Sequence, residues 1–258
     1  MTALGKWFIS FLASIGELGL FGLRALFDLF RPPYEISETI NQIFQAGLRS
    51  CPLIIASGFA FGIVLSMETR SSMEAFGAES MVPQAISFGL FKDIGAILTS
   101  LLVSGRVGAG IGAELAGMRV TEQIDALEAL AVDSFKYLVV TRILACIIVM
   151  PILTTLLNFS GLVGGAVSEM VVPGGMPVRL YLQDAFSPMG WSDYIPPTVK
   201  TLVFGFIIGT VSCWLGYTAT QGATGVGKAS TRSVVFSSLL VILSDVLLVK
   251  LIFFLFPG

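Results

Sequence analysis

Long blocks of apolar residues, rather than short alternations, set the pattern of this chain. Four blocks are prominent, at about 51–67, 138–167, 201–217 and 234–256, and a fifth at about 81–105 is interrupted by Lys92-Asp93. A helix needs roughly 17–25 apolar residues to cross about 30 Å of hydrocarbon. The blocks therefore predict an all-α polytopic membrane protein with five transmembrane helices.

The residues before the first block behave differently. Over 4–30, Lys6, Ser10, Ser14, Glu17, Arg24, Asp28 and Arg31 fall on one narrow side of a helix, and Trp7, Phe8, Phe11, Leu12, Ile15, Leu18 and Phe30 surround the rest. A central acidic residue such as Glu17 costs roughly 2.5–3.5 kcal/mol on insertion. The segment 1–33 thus predicts an amphipathic interfacial helix lying on the membrane, preceding the five spans. A signal peptide with Lys6 as its positive region is the rival reading, but no small-residue cleavage site follows the apolar core cleanly. Arg31-Pro32-Pro33 ends this helix. A second, short amphipathic helix is predicted at about 37–50, with Ile40, Ile43, Phe44 and Leu48 on one side.

Composition narrows the function classes. Of 258 residues, 55% are hydrophobic and 12% charged, and the mean hydropathy is +0.88; soluble domains carry about 25% charged residues. A net charge of -2 offers no basic surface for nucleic acid. The absence of histidine removes the commonest metal ligand and the commonest general base. No catalytic or metal site is predicted. Cys51, Cys146 and Cys213 lie in or beside apolar runs and read as small buried residues. Basic residues orient the spans. With the N-terminus cytoplasmic, the inner segments hold Lys6, Arg24, Arg31, Arg49, Arg106, Arg119, Lys136, Lys228 and Arg232, against Arg70, Arg179 and Lys200 outside.

Two nucleotide-binding patterns fail on context. GATGVGKAS at 222–230 comes within one residue of a phosphate loop: Gly222, Gly227 and Lys228 fit, but Ala229 stands at the hydroxyl position. A working loop sits between a strand and a helix of an α/β domain, so this stretch reads as a glycine-rich cytoplasmic turn. GAGIGA at 108–113 matches a dinucleotide pattern, yet the preceding apolar run is a span rather than a strand. Tight helix packing explains its small residues better. The pairs Gly58/Gly62, Gly161/Gly165 and Gly205/Gly209 share the small-xxx-small spacing of close helix contact.

Two constellations remain for chemistry. Lys92 and Asp93 sit mid-span, where ionisable groups are rare and face a cavity or the bundle interior. Neighbouring helical residues point about 100° apart, so the two need not pair; Asp245 in the last span is a candidate partner for Lys92. A structural ion pair locking helices is the competing reading. The second constellation is VTEQIDALEALAVD at 120–133, where Val120, Ile124, Leu127 and Ala131 form an apolar stripe and Glu122, Asp125 and Glu128 an acidic one. A helix with both stripes suits a groove on a partner, and a merely solvated face accounts equally for the periodicity.

GRVGAGIGAELAGMRVTEQIDALEALAVD at 105–133 closely resembles the signature of the MlaE/YrbE permease family, the membrane subunits of ABC transporters that move phospholipids between bacterial membranes. KASTRSVVFSSLLVILSD at 228–245, FGAES at 76–80, GG at 164–165 and VKTLVFG at 199–205 follow in the same order, and the likeness covers roughly 40–258. The family usually has Arg-Glu and then Leu-Gly-Pro where this chain has Lys92-Asp93-Ile-Gly95-Ala96, Asp-Pro at Asp133-Ser134, and Pro-Arg at Thr141-Arg142. A lysine lacks the planar fork of arginine.

The resemblance implies a permease domain over 34–258 with a cytoplasmic coupling helix at about 114–133, whose Glu114, Glu122, Gln123, Asp125 and Glu128 contact a separate ATPase. ATP and Mg²⁺ would belong to that ATPase, and this chain would hold no cofactor. It further implies a homodimer in the bacterial inner membrane, an MCE-domain protein on the periplasmic face and, in some members, a STAS-domain protein. A phospholipid would sit in a cleft between two copies, its tails on Phe61, Val64, Leu65, Phe88 and Phe91 and its phosphate drawn by Arg70, Lys92 and Lys200, with Asp93 holding Lys92. Two other readings stay open: a proton-coupled carrier using Lys92, Asp93 and Asp245, and a scaffold for a periplasmic MCE ring.

Overall fold

The computed structural model describes residues 3–32, 34–220 and 222–255, with side chains described from residue 12 to 252 and at 254. The chain is helical throughout: α1 (Ala3–Leu29), α2 (Ile36–Ala46), α3 (Cys51–Glu74), α4 (Val82–Gly89), α5 (Gly95–Val103), α6 (Ala109–Val120), α7 (Gln123–Ala129), α8 (Thr141–Val171), α9 (Val178–Phe186), α10 (Trp191–Tyr217) and α11 (Gly222–Leu255). Wider π turns at Leu90–Ile94, Ser104–Gly108 and Phe135–Val140 join α4 to α5, α5 to α6 and enter α8.

Among the described residues, five continuous helical stretches are long and apolar enough to cross a membrane: Ile36–Glu74, Glu79–Val120, Phe135–Val171, Trp191–Tyr217 and Gly222–Ile252. The five predicted spans are therefore present, preceded by α1, but the helices run well past the apolar blocks. Hydropathy reports only the greasy stretch, whereas the backbone ladder continues into polar sequence as long as one face packs.

GATGVGKAS shows this and corrects the expectation of a turn, since these residues are the first turns of α11. Gly225, Ala229, Ser233 and Ser237 recur every four residues and are all buried. They face the small residues of the second span. A Cβ on Gly112 would lie 2.3 Å from Ser233 Oγ, and Ser104 Oγ meets Ser237 Oγ at 2.5 Å. Backbones meet this closely only where side chains are minimal. Gly108 and Gly112 of GAGIGA thus serve packing, while Gly110 lies open.

On α1, Leu20 and Phe27 are exposed while Ala25 is buried, and Phe30 just past its end is exposed as well. The predicted pattern over Lys6, Trp7, Phe8, Ser10 and Phe11 falls outside the described side chains. Phe21 packs edge-on against Phe135 at 5.1 Å, and Arg24 stacks 4.0 Å above the same ring. α2 turns Ile36, Ile40 and Phe44 outward and buries Gln42 and Ala46, then passes through a tight turn at Leu48–Ser50 into α3.

The chain forms two compact units. One comprises the residues up to Ala46 with Ser104–Ile147 and Gly205–Leu240. It holds α1, α2, α6, α7 and the glycine-serine seam. The other comprises Gly47–Val103, Ile148–Phe204 and the residues from Val241. Its core is Val82, Ile86, Leu90, Phe91, Leu162, Ala166, Tyr181 and Ala185, with Phe61 and Leu65 packed against it.

The three small-xxx-small pairs all lie at helix contacts. Gly62 is the tightest, because a Cβ there would fall 1.9 Å from the Gly161 carbonyl oxygen. Gly62→Val is expected to force α3 and α8 apart and cost at least about 1–3 kcal/mol. Thermal unfolding of the purified protein in detergent measures this, and an unchanged melting profile would contradict the close seam.

Candidate functional site

Among the described residues of the second unit, the ion pairs sort into three groups. Their partners differ from those expected along the chain. The π turn at Leu90–Ile94 carries Lys92 and Asp93, and a π turn inserts an extra residue into the helical register, a feature frequent at functional sites. Asp93 does not hold Lys92. It pairs with Lys200 of α10, whose ammonium also donates to Asp245 of α11 at 2.8 Å. The expected Lys92–Asp245 pairing is therefore replaced by a Lys200 triad tying the second, fourth and fifth spans. Lys200 is 1% exposed at its side chain and Asp245 7%, whereas Asp93 keeps 43% exposure, so the triad is a buried pair with a second, half-open carboxylate and one carboxylate more than it has cations.

Lys92 turns the other way. Its ammonium meets Asp193 at 2.9 Å and lies 4.7 Å above the Phe88 ring. At 47% side-chain exposure it stays accessible. The same turn carries Phe91 into an aromatic cluster, where it is ringed by Tyr194, Phe159 and Phe186 at 5.6, 5.7 and 6.3 Å between centroids. Phe91 itself is buried, whereas Phe159 and Phe186 are each partly open to the surroundings.

Arg70, expected to attract a phosphate, is instead buried in a cage of carboxylates. Its guanidinium donates to Glu169 at 2.5 Å, Glu74 at 3.1 Å and Glu79 at 3.4 Å, and to the Gly174 carbonyl at 3.5 Å. Ser66 adds a hydrogen bond to Glu169 at 3.3 Å. Tyr181 is fully buried nearby, with no hydrogen-bond partner for its hydroxyl among the described residues. Burial, and then the Glu169 charge, push that hydroxyl's pKa up. Of the expected tail contacts, Phe61 and Leu65 pack on the core and Val64 points outward.

In the first unit, the acidic segment expected as one helix over 114–133 is two. α6 ends at Val120, Glu122 adopts a left-handed backbone (φ 58°), and α7 follows from Gln123 to Ala129 before a second left-handed residue, Ala131 (φ 60°). For non-glycine residues this conformation is uncommon, and here it bends the segment into an elbow. Ile124 is fully buried and pins it.

Two of its acids face their own chain. Glu114 accepts from Arg142 at 2.8 Å, and Arg142, 3% exposed, also donates to the Leu138 carbonyl at 2.8 Å. Glu128 accepts from Ser134 at 2.6 Å and from Tyr217 at 3.3 Å. Glu122, Gln123 and Asp125 remain outward, Asp125 in an ion pair with Arg119 at 2.6 Å. Beside them stand Leu130, 75% exposed, and Val132.

Several of these residues escaped the sequence reading. Glu169 and Asp193 lie at the ends of apolar blocks, where an acid passes for a boundary marker. Leu130 and Val132 follow an amphipathic stretch and read as its tail.

Known proteins resemble this chain over nearly its whole length. A family model described as "Permease MlaE" matches residues 39–251. The chain is 39% identical over 252 residues to a probable ABC transporter permease protein of Rickettsia felis, covering 98% of this chain and 97% of that one. It is 36% identical over 217 residues to a probable ABC transporter permease protein of Synechocystis, covering 84% and 82%. It is also 29% identical over 254 residues to the intermembrane phospholipid transport system permease protein MlaE of Haemophilus influenzae, covering 98% and 97%.

Proposed function

Because the chain belongs to the MlaE permease family, and is thereby a multi-pass permease subunit of an ABC transporter, we propose that it moves phospholipids between the inner and outer membranes of a bacterial envelope. ATP is handled by a partner ATPase, as in such permeases generally. The observation that carries the lipid reading is Lys92: an accessible ammonium on a π turn, seated over Phe88, on the same turn as Phe91, whose ring meets the partly open Phe159 and Phe186. That arrangement suits an amphiphile, with an anionic phosphate at the ammonium and acyl chains on the rings. Moving chains from bilayer to an apolar pocket changes their burial little, although leaving water would be worth about 0.8 kcal/mol per methylene. The work therefore lies in shape change rather than tight binding.

In this reading two copies pair in the inner membrane with their N-termini cytoplasmic, and the cleft between them receives the lipid. An MCE-domain protein continues the path on the periplasmic side, and a STAS-domain protein accompanies the ATPase. The elbow at 114–133 seats in the ATPase, contributing Glu122, Gln123 and Asp125. Arg70 and Lys200 hold the spans through buried ion pairs and leave the phosphate to Lys92. Asp193 takes the holding role assigned from sequence to Asp93.

Photocrosslinking tests the lipid contact. With a diazirine phospholipid in reconstituted vesicles, Lys92→Ala is expected to lower labelling of this chain at least about fivefold, the loss of one cation near a phosphate. Equal labelling of wild type and variant would rule the headgroup contact out. Uptake by the isolated chain under a proton gradient, without nucleotide, would instead favour the carrier that uses Lys92, Asp93 and Asp245.

A further inference from the structure

The first unit carries an amphipathic recess that the transport reading does not use. Its apolar part is a groove of about 260 Å³ between the end of α1, the start of α2 and the start of α8, floored by Leu29, Ile36, Ile40, Val140 and Leu144. Ile36 and Ile40 are 66% and 60% exposed, so the groove opens on whatever surrounds the protein. Asp28 and Lys136 border it and also line an adjoining, wider mouth of about 590 Å³ with Arg24, Phe27, Arg31 and Asp133. One recess is therefore greasy at one end and charged at the other.

The charges at the mouth fix the sign of its occupant. Arg24 is balanced by Asp28 at 3.6 Å, and Asp133 accepts from the Lys136 backbone N–H at 3.2 Å. Among the described residues, the Lys136 ammonium donates only to neutral carbonyls, at 3.1 Å to Pro32 and 3.5 Å to Arg31. Three basic side chains thus meet two acidic ones, and the excess is positive. Glu35 borders the groove and not the mouth, so the recess as a whole is balanced and the positive excess is confined to the mouth, where a headgroup would sit.

We propose that this recess is a binding site for one anionic phospholipid, with its phosphate held by Arg31 and Lys136 and part of an acyl chain in the Leu29–Leu144 groove. Basic recesses beside membrane helices recognise acidic headgroups in this way. The lipid clamps α1 and α2 to the first turns of α8. It is a fixed component of the permease rather than its cargo.

The experiment uses the permease–ATPase complex, delipidated in detergent and titrated with palmitoyl-oleoyl phosphatidylglycerol or the matching phosphatidylcholine, with bound lipid counted by native mass spectrometry. The wild type is expected to retain one additional phosphatidylglycerol per permease chain in preference to phosphatidylcholine. The double variant Arg31→Gln/Lys136→Gln weakens that retention by about fivefold for each basic residue removed. Leu144→Trp, which fills the groove and leaves every charge in place, displaces the same lipid and covers the case in which the double variant does not assemble. Equal retention of the two lipids by the wild type overturns the proposal. So does phosphatidylglycerol binding that Leu144→Trp leaves unchanged, or a polypeptide of the complex crosslinked in the groove where the lipid should be.

Discussion

Lys200→Met is expected to destabilise the protein by about 3–5 kcal/mol, the usual cost of removing one partner from a buried ion pair. The side chain is 1% exposed and answers two carboxylates on two other spans. Without it, Asp93 and Asp245 face each other with no cation between them. The companion variant Lys200→Met/Asp245→Leu is expected to recover a large part of the loss, because replacing a buried pair by apolar groups of similar volume is often close to neutral. Thermal unfolding of purified wild type, both single variants and the double variant gives the cycle. A single-variant cost under about 1 kcal/mol would show that the triad does not hold the spans. A double variant no better than Lys200→Met would show that the damage lies outside the pair.

Leu130→Asp is expected to detach the ATPase while leaving the permease folded. Leu130 is 75% exposed at the tip of the elbow and contributes little to its own chain. In the proposed contact Leu130 enters an apolar pocket of the ATPase, and placing a carboxylate there costs about 2 kcal/mol through lost burial and an unpaired charge, about thirtyfold in affinity. Adding the charge reversals Glu122→Lys and Asp125→Lys compounds the loss by inverting the acidic face beside it. Co-purification of the ATPase from membranes, with the melting temperature of the permease as control, reads the effect. A complex that survives Leu130→Asp with both reversals would remove the elbow from the contact.

Much of this architecture is legible in the residues, and the boundary of legibility has a physical cause. The five spans follow from apolar blocks because burial in hydrocarbon admits few exceptions. The small-xxx-small pairs follow because only glycine allows Gly62 to meet the Gly161 carbonyl. Partner choice among charges does not follow. Lys92 and Asp93 are adjacent in sequence, yet the wide turn at Leu90–Ile94 sends one to Asp193 and the other to Lys200. That depends on helix rotation, which no local pattern records. Arg70 misleads for the same reason, since a basic residue near the end of a span looks available until Glu169, a hundred residues away in the chain, is folded against it. At 114–133 the stripes mark an amphipathic segment, but its bend rests on left-handed backbone at Glu122 and Ala131, a conformation their residue types do not advertise. The GATGVGKAS stretch errs in the opposite direction. Its glycines suggest a turn, while the buried four-residue rhythm of Gly225, Ala229, Ser233 and Ser237 makes it helix.

The elbow is moored at both ends: Glu114 to Arg142 at the head of α8, and Glu128 to Ser134 and to Tyr217 at the foot of α10. A crank works only if its arm has no slack. A push on Leu130, of the kind the proposed ATPase contact would deliver, would meet short charged and hydroxyl linkages to the roots of two spans rather than loose chain.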